Sequence, residues 1–98
     1  MRVRLSSQAV RDLQGVHAWV ERDNPDRAIR FIAKLRDAMK RLATMPNAFP
    51  LIPRYERHGI RRRSCKGYGI LYSVRHEGLF VHRIIGPGQD HDRALGLT

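Results

Sequence analysis

Two apolar stripes with helical spacing stand almost end to end, separated only by Asp23-Asn24-Pro25. In the first, Ala9, Leu13, Val16 and Val20 recur at steps of four, three and four, flanked by Val10 and Trp19, with Arg11, Gln14, Ala18, Glu21 and Arg22 on the far side. Ser6 or Ser7 can cap this helix, because a serine oxygen accepts from N–H groups that the first turn leaves without partners. In the second, Ala28, Phe31, Leu35, Ala38, Met39 and Leu42 share a face that runs on to Met45-Pro46. Asn24 suits the cap, and Pro25 suits the first helical position, where its missing N–H would be unpaired anyway. So short a link predicts an antiparallel helical hairpin. Its joined apolar face must be covered by something else.

The cover comes later in the chain. Gly69-Ile-Leu-Tyr-Ser-Val74 and Leu79-Phe-Val-His-Arg-Ile-Ile85 read as strands, and Arg75-His76-Glu77-Gly78 between them reads as a hairpin turn with Gly78 at positive φ. Ile60 to Lys66, joined onward through Gly67, makes a third strand of the same meander. Met1 to Leu5 alternates Arg2 and Arg4 with Val3 and Leu5, the period of a short strand whose pairing the pattern leaves open. Between helices and meander, Pro46, Pro50, Pro53 and Gly59 predict an ordered surface connection, pinned by Phe49 and Leu51. Helices first and strands after give an α+β fold, β-α-α-β-β-β, with a helical hairpin packed on a small, mainly antiparallel sheet in one domain over residues 1–98. A chain of 98 residues leaves no room for two such domains.

Composition narrows the functional classes. The only cysteine, Cys65, excludes an internal disulfide and a Cys-rich zinc fold, and it reads as a small buried hydrophobe in a protein of a reducing cytoplasm. No apolar run approaches the roughly 20 residues of a membrane span, and the chain opens on Met-Arg-Val-Arg-Leu rather than on an export signal. A cytoplasmic protein with no membrane partner is expected. His17, His58, His76, His82 and His91 show no paired ligand spacing, so no metal and no cofactor is expected. No Ser-His-Asp order, Gly-rich phosphate loop or spaced carboxylate pair is visible.

The charge is lopsided: 19 basic against 9 acidic side chains, a formal +10. Residues 1–50 hold ten basic and five acidic groups, 54–66 hold six and one, and 67–98 hold three and three. Arg54, Arg57, Arg61, Arg62, Arg63 and Lys66 thus read as a basic ridge whose self-repulsion implies an anionic partner, nucleic acid or acidic protein. In a strand, Arg61 and Arg63 face one way and Arg62 the other. On the second helix Arg27, Arg30, Lys34 and Arg41 read as a solvated edge. Tyr68 and Tyr72 share a strand face, one expected in the core and one at its edge.

Asp23-Asn24-Pro25 followed by Ala28 and Phe31, the strand Tyr68-Gly69-Ile70-Leu71-Tyr72, and the ending Val81-His82-Arg83-Ile84-Ile85 with Asp90 soon after resemble the ParE/RelE toxins of bacterial type II toxin-antitoxin pairs. The resemblance implies the same fold, a cytoplasmic setting and hetero-oligomeric assembly with a cognate ParD-like antitoxin whose acidic, largely disordered tail wraps the toxin. It also implies one of two actions. ParE-like members bind and poison DNA gyrase, whereas RelE-like members are endoribonucleases that cut mRNA on the ribosome. The match leans to ParE, hence to a protein that is not an enzyme. Relatives of the second kind often carry arginine or histidine where this chain has Gly67-Tyr68-Gly69, and its C-terminal segment offers only His91. Arg83 matches a last-strand arginine common to both branches. Where many ParE-like chains read His-Gly-Ala-Arg-Asp, this one has Gly86-Pro87-Gly88-Gln89-Asp90. Pro87 and the glycines predict that the tail leaves the sheet.

The candidate residues follow. Phe31, Leu35, Arg54, Arg57, Arg61 and Arg63 are expected to meet the antitoxin, the first two if they retain exposed surface. Arg62, Lys66, Tyr68 and Arg83 are expected to meet the target. In the RelE-like alternative, Arg61, Lys66 and Arg83 would hold phosphate and His91 or Tyr68 would move a proton. A plain nucleic-acid module ranks third, since no reader motif accompanies the charge.

Overall fold

A computed structural model describes residues 1–96, so the last two positions of the expected domain lie outside the described residues. The chain runs β1 (Val3–Leu5), α1 (Ser7–Glu21), α2 (Pro25–Leu42), a 3-10 turn (Glu56–His58), β2 (Ile60–Cys65), β3 (Tyr68–Arg75), β4 (Gly78–Ile85) and α3 (His91–Leu95). The expected β-α-α-β-β-β order is present, and α3 is an addition to it.

Both helix starts follow the capping logic. Ser6, not Ser7, is the α1 cap: its Oγ accepts from the Ala9 N–H at 2.9 Å and donates to the His82 carbonyl at 2.6 Å, which ties the helix start to β4. Asn24 Oδ1 accepts from the Arg27 N–H at 3.1 Å. Helix α2 closes at Leu42, short of Met45-Pro46, after about five turns.

The sheet order is β1-β4-β3-β2. Strands β2, β3 and β4 form the antiparallel meander, and β1 joins β4 in parallel, pairing Val3 with Leu79 and Leu5 with Val81. Gly78 is required by this junction. Its φ is +139°, and an added Cβ would lie 2.4 Å from the Arg2 carbonyl oxygen that accepts from the Leu79 N–H.

On the inner face, Ala9, Leu13, Val16, Val20, Ala28, Leu35 and Leu42 of the helices meet Ile70, Tyr72, Leu79, Val81 and Ile84. A bulge at Leu71/Tyr72 leaves His82 without an opposite residue, so the alternation along β4 shifts. Val81 and Ile84 therefore both point inward, while Ile85 points outward.

The outer face carries a second, smaller cluster, Ile52, Tyr55, Ile60, Leu71 and Ile85, with Ala94 and Leu95 of α3 laid against it. This corrects the expected release of the tail. Pro87 and Gly88 (φ +80°) turn the chain back, and the Asp90 side chain caps α3 by accepting from the Asp92 N–H. Leu51 is 37% exposed and does not pin the connection; the neighbouring Ile52 and Tyr55 do so, at 3% and 2%. Cys65 is half-buried rather than wholly in the core.

Candidate functional site

Arg83 sits where three elements meet. Its guanidinium donates to both carboxylate oxygens of Asp12, from Nε at 2.7 Å and from Nη2 at 3.0 Å, and Nη1 donates to the Ala94 carbonyl at 2.9 Å. Asp12 also accepts from the Ile84 N–H at 2.9 Å. Strand β1 pairs only with Leu79–Val81, so Ile84 lies beyond its reach, and the Asp12 side chain takes over that part of the sheet edge. Both side chains of the ion pair are mostly buried, 21% and 16% exposed, and hydrogen bonding to Asp12 raises the Arg83 pKa. Arg83 keeps one open side, with Arg93 and Asp90, on a groove of about 380 Å³ beside Gly88 and Gln89.

The remainder of the outer face is organised by α3. Arg62 lies over Gly69, where no Cβ obstructs it, and its Nη1 is 2.8 Å from His91 Nε2. The arginine is the donor there, which makes Nε2 the unprotonated ring nitrogen. Burial first, and then the charge of Arg62, hold the His91 pKa below its ordinary value. Arg54 Nη2 reaches Asp92 at 2.6 Å, and the Tyr55 hydroxyl donates to the other Asp92 oxygen, which raises the Tyr55 pKa. Further along β4, His82 Nε2 lies 2.8 Å from Ser73 Oγ, and burial together with Arg75 pushes its pKa down to about 4.

The basic residues of 54–66 therefore do not form one ridge. Arg61 and Arg63 point to the helix side, as strand alternation requires. Arg61 Nη1 donates to the Phe49 carbonyl at 2.6 Å, and Arg63 Nη1 donates to the Ala38 carbonyl at 3.1 Å with its guanidinium 5.0 Å from the Phe49 ring centre. Both arginines thereby tie the 43–50 connection and α2 to the sheet. Arg62 and Arg54 face the opposite side, and Arg57 is exposed on the 3-10 turn.

Phe31 is half-buried, edge-on to Tyr68 with ring centres 5.6 Å apart, and retains surface for a partner. Leu35 is fully buried in the core and offers none. Tyr72 is the core tyrosine, its hydroxyl donating to the Pro46 carbonyl at 2.8 Å, and Tyr68 is the half-buried one at the edge. Lys66 occupies the β2–β3 turn at φ +54°, beside Lys34 of α2.

Among the described residues, no group of three or more His, Cys, Asp or Glu side chains could hold a metal ion, and no helix is long and apolar enough to cross a membrane. Sequence reasoning missed Asp12, Tyr55 and Asp92. Asp12 carried one signal, an acid one position before Leu13 on the apolar stripe of α1. Asp92 lies in an Asp90-His91-Asp92 start that reads as a capped helix once the tail is allowed to return.

The sequence matches the family model of the ParE toxin of type II toxin-antitoxin systems over residues 3–90. The chain belongs to the ParE toxin family. The fold agrees with this assignment. A structure of the chromosomal ParDE toxin-antitoxin system of Pseudomonas aeruginosa superposes with a TM-score of 0.72 at 17% identity, covering 89% of this chain and 96% of that one. The toxin-antitoxin complex RelBE2 of Mycobacterium tuberculosis gives 0.63 at 22% identity, covering 86% and 94%. No curated protein matches this ParE-family chain significantly. The two neighbours carry the fold from both the ParDE and the RelBE side, and the family match to ParE covers β1 through Asp90.

Proposed function

We propose that this chain is the toxin of a two-protein pair, held silent in the cytoplasm by an acidic ParD-like antitoxin, and that it arrests growth by docking on DNA gyrase rather than by breaking bonds. The family match and the toxin-antitoxin complexes among the structural neighbours support the antitoxin. The excess of 19 basic over 9 acidic groups supports its acidity. Docking is supported above all by the commitment of Arg83. A phosphate-holding arginine presents a free fork to the substrate, and here the Nε–Nη2 fork is taken by Asp12 while Nη1 also donates to the Ala94 carbonyl.

The second reading is a ribosome-dependent mRNA endoribonuclease, and one observation favours it. His91 is kept neutral with Nε2 beside Arg62, an arrangement suited to a proton acceptor next to a phosphate ligand. Inducing the chain without its antitoxin separates the two. Gyrase-linked chromosome breaks with intact transcript ends support docking. New mRNA 5′ ends within translated codons, without such breaks, support the nuclease.

A further inference from the structure

Most arginines of the sheet are committed to the fold. Arg61 and Arg63 donate to the carbonyls of Phe49 and Ala38, Arg62 donates to His91, and Arg83 is forked onto Asp12. Arg2, Arg4 and Arg75 are the exceptions. All three are exposed, and among the described residues none pairs with an acid or donates a side-chain hydrogen bond, the ion pairs being Arg41–Asp37, Arg54–Asp92 and Arg83–Asp12.

The sheet brings these three to one place. Val3 and Leu5 pack against the inner core, so alternation along β1 puts Arg2 and Arg4 on the outer face. Arg75 reaches that face from β3, with its guanidinium 4.4 Å from the ring centre of Phe80, the residue opposite Arg4 in the register. Between Arg2 and Arg75 stands Gly78, which pairs with Arg75 and has no side chain to fill the gap. The result is an open groove of about 200 Å³ bordered by the three arginines, with Phe80 in its wall and Glu77 as the only acid. A second groove of about 310 Å³ shares Arg75 and Phe80 and carries the surface on to Leu95 of α3.

Three unpaired cations around one groove repel one another in the free chain, which marks a face that meets an anion. Arg2 and Arg4 are two positions apart on a strand, about 6.5 Å, close to the separation of successive phosphates along a nucleic-acid backbone. Guanidinium forks suit phosphate oxygens. An acidic peptide would need an apolar anchor besides charge, and the one aromatic ring here is capped by Arg75. We propose that Arg2, Arg4 and Arg75 grip the phosphate backbone of the DNA that gyrase holds, so that the docking surface of the toxin spans DNA as well as gyrase protein. This rests on the gyrase reading above and adds a second contact to it, made by residues outside the Arg83 and α3 region.

The test uses the full chain, purified gyrase with and without a bound DNA duplex, and the triple variant Arg2→Gln, Arg4→Gln, Arg75→Gln. The parent binds gyrase at least about tenfold more tightly when DNA is present. Its affinity for the gyrase–DNA complex falls with salt more steeply than that of the triple variant, by about two to three in the log-log slope, as three phosphate contacts require. The variant binds gyrase alone like the parent, loses the gain from DNA, and needs at least about tenfold more protein to produce gyrase-linked breaks, while its thermal midpoint stays within a few degrees. Lysine at the same three positions keeps the charge and restores most of the gain. Equal parental binding with and without DNA, or a triple variant that matches the parent on the gyrase–DNA complex, overturns the DNA contact and leaves the gyrase reading standing. Loss of variant binding to gyrase alone would assign the arginines to gyrase protein and overturn it as well. A parent chain that neither binds nor inhibits gyrase sinks both.

Discussion

Arg83 and Asp12, 71 positions apart in sequence, are joined by two parallel hydrogen bonds that fasten the last strand to the first helix. The same carboxylate satisfies the Ile84 N–H at a point where β1 has already ended, so a single acidic side chain substitutes for a missing strand partner. Through the Ala94 carbonyl, Arg83 extends this tie to α3. A residue that resembles a target-binding or phosphate-holding arginine is therefore first a structural one.

Asp12→Ala leaves a largely buried guanidinium and the Ile84 N–H unpaired, and the expected loss is about 3 kcal/mol of unfolding free energy in urea. Arg83→Lys cannot reproduce the fork and costs less than Arg83→Ala. A double-mutant cycle on Asp12→Ala and Arg83→Ala returns a coupling above about 1 kcal/mol. A coupling near zero would show that the pair does not hold β4 to α1.

The depressed His82 pKa sets a pH dependence. Between pH 6.5 and about 4 the unfolded chain binds a proton at this ring that the folded chain excludes. Stability is thus undiminished above the ordinary histidine value and falls as pH drops through that window. The ring is only partly buried, so screening trims the loss to about 1–2 kcal/mol. Arg75 and Ser73 face the ring, and His91 shifts in the same direction. His82→Gln flattens the pH slope of the urea midpoint between pH 7.5 and 4.5; an unaltered slope would place the titration elsewhere.

Two turn positions respond in opposite senses. Gly78→Ala forces a Cβ against the Arg2 carbonyl and breaks the β1–β4 junction, at a cost of about 2 kcal/mol or more. Lys66→Gly relieves a left-handed backbone and raises stability by about 1 kcal/mol. Thermal melts of the two variants read both signs.

The helices and the meander were legible because their signals are local. The Ala9–Val20 and Ala28–Leu42 stripes, the Asn24-Pro25 cap and the alternation of Leu79 and Val81 all lie within one element, and each became the element expected. The parallel pairing of β1 with β4 was not legible, since a three-residue strand carries no register information beyond its alternation. Nor was the return of the tail. Pro87 and Gly88 read as an exit from the sheet, and the return is instead made by the apolar cluster around Tyr55 and Ile60 that Ala94 and Leu95 cover.

The site followed the same division. Alternation separated Arg61 and Arg63 from Arg62, but composition could not say that the first two would be drawn to carbonyls of Phe49 and Ala38, because those partners come from the connection and from α2. Leu35 against Phe31 is a further case. Both lie on one stripe, and only the placement of the sheet buries the former and leaves the latter at the edge beside Tyr68.

The central claim, a toxin that acts by docking on gyrase, is tested most directly by ATP-driven supercoiling of relaxed plasmid with purified gyrase and the purified chain. The account predicts inhibition that rises with toxin concentration, yields gyrase-linked DNA breaks, and disappears when the acidic partner is added first. Undiminished supercoiling at saturating toxin, together with cleavage of mRNA in a translating extract, would contradict it.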